Sequence, residues 1–360
     1  MVRRKRRGEG AFAGVGVGET VRSMTWLIFT CSAGAIVLAG AKLSHYGDRI
    51  ADLTGLGRVW IGVVLMAAAT SLPELLTTIS AGALQAPDLA AGNLFGAGLA
   101  NMLTLGVIDL LHRQKRVWQH AALEQCLVAG LAMILTSLAA FFVLFRSEIS
   151  HAGIGLGSLA LLLLYVLGMR LVFRQEDVKR RAREQAALAK AESETDSLLA
   201  RVGRRDALKA AGTGFGAATL VLLIAAPFLA SSANDLAEQT GISASFIGTS
   251  LVAIVTTLPE LVASLTAVRL GAFDLAVGNL FGSNAFNMAA FAFADLAYRE
   301  GPILSMIAPS HALTAAWSIV LMNVGLMGII YRVEKRYWLI EPDSLLMMFG
   351  YLLGLWLLFG

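Results

Sequence analysis

Apolar stretches near the length needed to cross a bilayer recur along the whole chain: residues 24–43, 57–84, 90–111, 126–145, 152–173, 211–231, 243–270, 275–297, 313–331 and 343–359. A helix needs about 20 mostly apolar residues to span the hydrocarbon core. Lipid offers the backbone no hydrogen bonds, and no strand-like alternation argues for a barrel. The pattern therefore predicts an all-α integral membrane protein with ten transmembrane helices. One substantial hydrophilic segment, 174–210, interrupts it. Its Ala, Glu, Lys and Arg content favours a solvated helical connector. The chain thus divides into a basic tail at 1–23, a first half at 24–173, the connector, and a second half at 211–360.

Composition agrees with the pattern. Hydrophobic residues make up 57% of the chain and charged residues 15%, against about 25% charged in soluble domains. The net charge of +4 matters less than its distribution. With the N-terminus outside, one side of the membrane receives Lys42, Arg49, Arg58, Arg113, Lys115, Arg116, the connector, Arg269, Arg332, Lys335 and Arg336. The other receives Arg146 and Arg299. By the positive-inside rule the connector is cytoplasmic and both termini lie outside. The tail MVRRKRRGEG runs against that assignment and is outvoted by five loops. In GRRDALKAAG the arginine pair reads as a positive-inside anchor. Cys31 and Cys126 lie in apolar helices and read as inert packing residues. The five histidines fall near helix ends without ligand spacing.

The two halves repeat one another. ATSLPELLTTISAGALQAPDLAAGNLFGAGLANM, from Ala69, aligns without a gap on VTTLPELVASLTAVRLGAFDLAVGNLFGSNAFNM, from Val255, at a constant offset of 186 residues. About half of the positions are identical. The repeated motifs occupy 62–105 and 248–291. Five is an odd number of crossings, so corresponding helices run in opposite directions. The expectation is two inverted five-helix repeats.

Each copy carries chemistry that is costly in a membrane. Glu74 and Glu260 are carboxylates within apolar stretches, where an acid is a site by default. Pro73 and Pro259 lack the N–H that the carbonyls of Ala69 and Val255 would otherwise meet, and a bound cation is one substitute. Thr70 stands four residues before Glu74, and Thr256 four before Glu260, so hydroxyl and carboxylate share a helix face. Ser71 and Thr257 add further hydroxyls. Asn101 and Asn287 follow their glutamates by 27 residues, on the next helix, after a GNLFG whose glycines permit close approach. Carboxylates, amides, hydroxyls and freed carbonyls are hard donors, which suit Ca²⁺ or Na⁺ over zinc or copper. Asp88 and Asp274, also matched, read as helix caps. Nothing pairs a nucleophile with a base, so the chain reads as a non-enzyme with no cofactor. A membrane protein that binds a cation without moving it stays open on these residues.

At these motifs the chain resembles the cation/Ca²⁺ exchanger superfamily, specifically the prokaryotic sodium/calcium exchangers. Their repeats run approximately G-T-S-x-P-E and G-N-x-x-G-S-N-x-x-[ND]. The resemblance implies an antiporter in which Ca²⁺ and Na⁺ compete for overlapping ligands at the midplane during alternating access. The partners are then those ions and the bilayer, with no nucleic acid and no obligate protein partner. By matching positions, the acids fall on Glu74 and Glu260, and the hydroxyls on Thr70, Ser71, Thr256 and Thr257. The carbonyl ligands fall on Ala67 and Ala253, and the second-helix ligands on Asn101, Ser283 and Asn287. Three departures stand out. Ala97 and Gly98 replace the Ser-Asn that the second copy keeps as Ser283 and Asn284. Neither Asn101 nor Asn287 is an Asp, and Ala69 and Val255 replace Gly. These departures bear on the coupling ion more than on Ca²⁺, and H⁺ or K⁺ remains an alternative to Na⁺.

Overall fold

The structure, a computed structural model, describes residues 12–111, 124–151, 153–190, 198–240, 256–331 and 342–359. Thirteen α-helices lie among them: α1 Phe12–Thr54, α2 Arg58–Trp60, α3 Ala67–Thr70, α4 Leu72–Ala83, α5 Pro87–Leu111, α6 Gln125–Phe145, α7 Leu156–Lys190, α8 Leu198–Thr240, α9 Leu258–Arg269, α10 Phe273–Ala297, α11 Ile303–Met306, α12 Ser310–Tyr331 and α13 Pro342–Phe359. A π-helical stretch, Ile61–Met66, joins α2 to α3. A two-residue hairpin pairs β1 Ser150–His151 with β2 Ile154–Gly155 before α7.

Several elements differ from the expectation. The stretch 57–84 is not one straight span. It breaks at Ser71, and its two parts meet at 47°, because Pro73 cannot continue the backbone ladder of the preceding turn. Helix α1 runs past residue 43 to Thr54. Its polar end is anchored by Arg58, which binds Asp48 at 2.6 Å and Asp52 at 2.9 Å. The connector is no separate helix: α7 carries on through Lys190, and α8 begins at Leu198. Cys31 is exposed on α1, so its packing role is not seen, whereas Cys126 is half-buried. The basic residues 1–11 and the residues 243–255 of the seventh stretch lie outside the described residues.

Six helices among the described residues are long and apolar enough to cross a membrane, and the bent pair makes a seventh. Helix α10 does not qualify on composition, for an instructive reason. It packs against α4, α5, α6, α7, α9 and the π-helical stretch. Enclosed by protein, it carries Asn279, Ser283, Asn284, Asn287 and Asp295, all buried. Only its far end, at Phe293 and Leu296, is exposed, and a helix so largely covered by protein has little need to be uniformly apolar. The outer helices face the opposite way: Leu38, Leu144, Leu167, Leu220, Phe228, Leu352 and Trp356 are exposed, as lipid-facing surfaces require.

Close backbone approach holds α10 in place. A Cβ added at Gly282 would stand 2.7 Å from both the Cα and the carbonyl oxygen of Val63. One added at Gly62 would stand 2.6 Å from the Leu275 carbonyl. Both contacts lie along the π-helical stretch just before the break, so glycine sets the distance between the first copy's broken helix and the second copy's α10.

Candidate cation site

The same local event occurs in both copies. Ser71 has φ −86° and ψ 8°, and Thr257 has φ −82° and ψ 2°. Each precedes a half-helix with proline in its first turn, and Ser71 also ends the helical piece Ala67–Thr70. Glu74 and Glu260 therefore sit in the first turns of α4 and α9, at the helix end whose partial charge favours an anion. Both are buried, at 0% and 1% exposure. The two carboxylates are close enough to interact electrostatically.

The first half reaches the acid of the second. Ser71 Oγ donates to Glu260 Oε1 at 2.9 Å, and Ser283 Oγ lies 3.4 Å from the same oxygen. Thr70 Oγ1 lies 3.0 Å from the Met66 carbonyl, 3.4 Å from the Ala67 carbonyl and 3.2 Å from Asn279 Oδ1. The Ala67 carbonyl also accepts the Ser71 N–H at 3.0 Å. Asn101 Nδ2 donates to Asn284 Oδ1 at 2.8 Å. Thr256 and Thr257 are buried beside these groups, while Ala253 lies outside the described residues.

What is left unpaired matters more. Glu74 Oε1 and Oε2, Glu260 Oε2, Asn101 Oδ1, and both amide atoms of Asn287 are buried without a hydrogen-bond partner. A buried polar atom without a partner costs about 1–3 kcal/mol, and a charged one more. Five oxygens aimed inward amid apolar packing form a donor set that fits a hard cation. Among the described residues no group of three or more His, Cys, Asp or Glu converges. The charge in the site is therefore that of two carboxylates, which balances one divalent ion.

Two further residues join this network. Asn93 Nδ2 donates to the Glu74 carbonyl and to Thr78 Oγ1, each at 3.0 Å. At the same register in the second copy, Asn279 Nδ2 donates to Ser264 Oγ at 3.0 Å. Both asparagines belong to GNLFG and pin a half-helix to the helix that follows. Their recurrence at one offset was the signal. Asp88 also departs from its expected role as a cap: Oδ1 accepts the Ala308 N–H at 2.7 Å and lies 3.5 Å from His311 Nε2.

The sequence pattern of the family described as "Sodium/calcium exchanger protein" matches residues 24–173 and 211–360. This chain belongs to that family. Family members are exchangers, hence membrane transporters rather than enzymes. The inner membrane protein YrbG of Escherichia coli K12 is 30% identical over 253 residues, covering 70% of this chain and 73% of its own. The putative antiporter CaxA of Alkalimonas amylolytica is 26% identical over 341 residues, covering 90% of this chain and 96% of its own. The solved sodium-calcium exchanger NCX_Mj, soaked with Na⁺ and Sr²⁺, superposes with a TM-score of 0.69 over 92% of this chain and 98% of that one. At 19% identity that likeness speaks for the fold.

Proposed function

We propose that this exchanger is a secondary antiporter that moves Ca²⁺ against Na⁺ by alternating access at one midplane site. Glu74 and Glu260 supply the charge. Thr70, Ser71, Thr256, Thr257, Ser283, Asn101, Asn287 and the carbonyls of Ala67 and Ala253 supply neutral oxygen. The observation that carries this reading is the pair of buried, facing carboxylates with three of their four oxygens unpartnered. Ca²⁺ neutralises such a pair, and Na⁺ ions entering the same ligands release it. CaxA is named as a putative antiporter, which supports the same class of activity.

The proposed architecture is ten spans in two inverted repeats, with the connector cytoplasmic, both termini outside, and the protein in a prokaryotic inner membrane. The matched backbone angles at Ser71 and Thr257, each just before a half-helix that opens on proline and glutamate, support it. A proton-coupled exchanger is the second reading. It is favoured by Ala97, which offers no hydroxyl where the second copy has Ser283, and by the asparagines at 101 and 287. Proteoliposomes separate the two when Na⁺, K⁺ and H⁺ gradients are imposed one at a time and Ca²⁺ uptake is followed. Uptake driven by Na⁺ alone supports the first reading, and uptake that persists without Na⁺ under a pH gradient supports the second. Glu260→Gln should abolish uptake in folded protein. Full uptake by that variant would refute the site.

A further inference from the structure

The second copy carries Ser283 and Asn284 where the first carries Ala97 and Gly98. The space that a side chain at 98 would enter is already taken. A Cβ built on Gly98 would stand 2.7 Å from Ser318 Oγ, 3.8 Å from Ser318 Cβ and 3.9 Å from Asn284 Oδ1. Ser318 belongs to α12, which packs on α5 and α6, and lies outside both repeated motifs. Its side chain is 1% exposed.

The 186-residue offset extends to this helix. Gln125 reaches the Asp274 carbonyl at 2.8 Å, and its counterpart His311 lies 3.5 Å from Asp88, so one pair of matched positions meets in both halves. At that spacing Ser318 corresponds to Ala132, a fully buried alanine. On the inner helices the second half has Asn284 where the first has Gly98, and on the outer helices the first half has Ala132 where the second has Ser318. The polar side chain beside position 98 therefore comes from α12.

The same point beside Gly98 lies 3.9 Å from Asn284 Oδ1, in the site's amide layer. Asn284 Oδ1 is held by Asn101 Nδ2, and the free ends of that pair, Asn101 Oδ1 and Asn284 Nδ2, are buried without partners. Neutral oxygens added beside a fixed pair of carboxylates discriminate among cations without adding charge, because ligand number and cavity size set selectivity.

We propose that Ser318 is a specificity-determining residue of the cation site, its hydroxyl supplying from α12 the neutral oxygen that Ala97 and Gly98 cannot supply from α5. It acts on the monovalent coupling ion, since the carboxylates dominate the hold on Ca²⁺. The inference rests on the exchange reading above.

Ser318→Ala, Gly98→Ser and the double variant test it in proteoliposomes, read as half-saturating Na⁺ and half-saturating Ca²⁺. Ser318→Ala should raise half-saturating Na⁺ by roughly fivefold, the worth of one hydroxyl contact, while Ca²⁺ shifts less than about twofold. Gly98→Ser alone forces a Cβ onto Ser318 Oγ and should lower the unfolding temperature. In the double variant the clash is gone, because Ser318 Cβ already lies 3.8 Å away, and the Na⁺ response should return. An unchanged Na⁺ response in Ser318→Ala, a parallel shift of both ions, or a double variant without recovery each overturns the inference. If the wild type moves no Ca²⁺ under a Na⁺ gradient, the exchange reading fails separately. Stabilisation of detergent-solubilised protein by Na⁺ then decides: selective loss of it in Ser318→Ala supports the role, and equal stabilisation of both proteins overturns it.

Discussion

Ser71 hydrogen-bonds Glu260 at 2.9 Å across 189 residues of sequence. The hydroxyl that follows one broken helix thus serves the acid that begins the other, and Thr70 crosses in the same direction to Asn279. The site is built from contacts between the copies. Neither copy closes the hydrogen bonding of its own carboxylate.

Ser71→Ala should therefore weaken Ca²⁺ binding although it changes no charge. Side-chain hydrogen bonds within membranes average about 0.6 kcal/mol and reach about 1.7 kcal/mol. The expected loss of apparent Ca²⁺ affinity is roughly 3- to 20-fold, measured as half-saturating Ca²⁺ in uptake assays. Unchanged affinity would mean that this bond does not orient Glu260.

The two asparagines of GNLFG should separate by phenotype. Asn279→Ala removes the group beside Thr70 as well as a bond to Ser264, so it should impair both ion affinity and thermal stability. Asn93→Ala removes bonds to the Glu74 carbonyl and Thr78 and should act mainly on stability. Paired uptake and unfolding measurements check this, and equal effects on affinity would contradict it.

Glycine positions give a contrast in packing. Gly282→Ala drives a methyl group against the Val63 backbone and should cost about 1–3 kcal/mol, as overpacking does. Gly130 in α6 has nothing within 4 Å of an added Cβ. Gly130→Ala should be neutral or stabilising by up to about 1 kcal/mol, since alanine is the better helix former. Thermal unfolding in one detergent compares the two.

Asp295 holds the end of α10 to two other segments. Its Oδ2 accepts the Gly155 N–H at 2.7 Å and its Oδ1 accepts the Ile303 N–H at 2.8 Å. Asp295→Asn keeps the shape but can accept only one of these bonds, leaving donor against donor at a cost of about 1–3 kcal/mol. Amide exchange at Gly155 or Ile303 should accelerate while protection in the middle of α10 is retained. Unaltered exchange at both amides would show that the clamp is dispensable.

The centre of the site was legible in the sequence because membranes make polar residues conspicuous. Glu74 and Glu260, each preceded by a hydroxyl and a proline, stand out twice at one offset. The broken helix was less legible. Proline marked where the ladder fails, but the 47° bend depends on how α4 packs against α10. Asn93 and Asn279 were visible as letters, yet their partners, Thr78 and Ser264, lie a helix away. Asp295 did stand out, as an acid inside an apolar stretch matched by Asp109 at the 186-residue offset, but its role was not legible because it is set by Gly155, 140 residues earlier. Ser318 was hidden for a similar reason: it fills a space defined by the absence of a side chain at Gly98.

The crossing of Ser71 to Glu260 also bears on ancestry. A lone five-helix half would lack the hydroxyl that crosses to its acid and would need a second molecule to finish its pocket. As separate but identical subunits, both molecules would have to carry the same residue at every matched position. Joining them in one polypeptide lifts that constraint, so Ala97 can stand where the other half has Ser283, and Gly98 where it has Asn284. Covalent fusion thus lets a symmetric ancestor acquire unequal sides, and with them a preference for one ion at one end of the pocket.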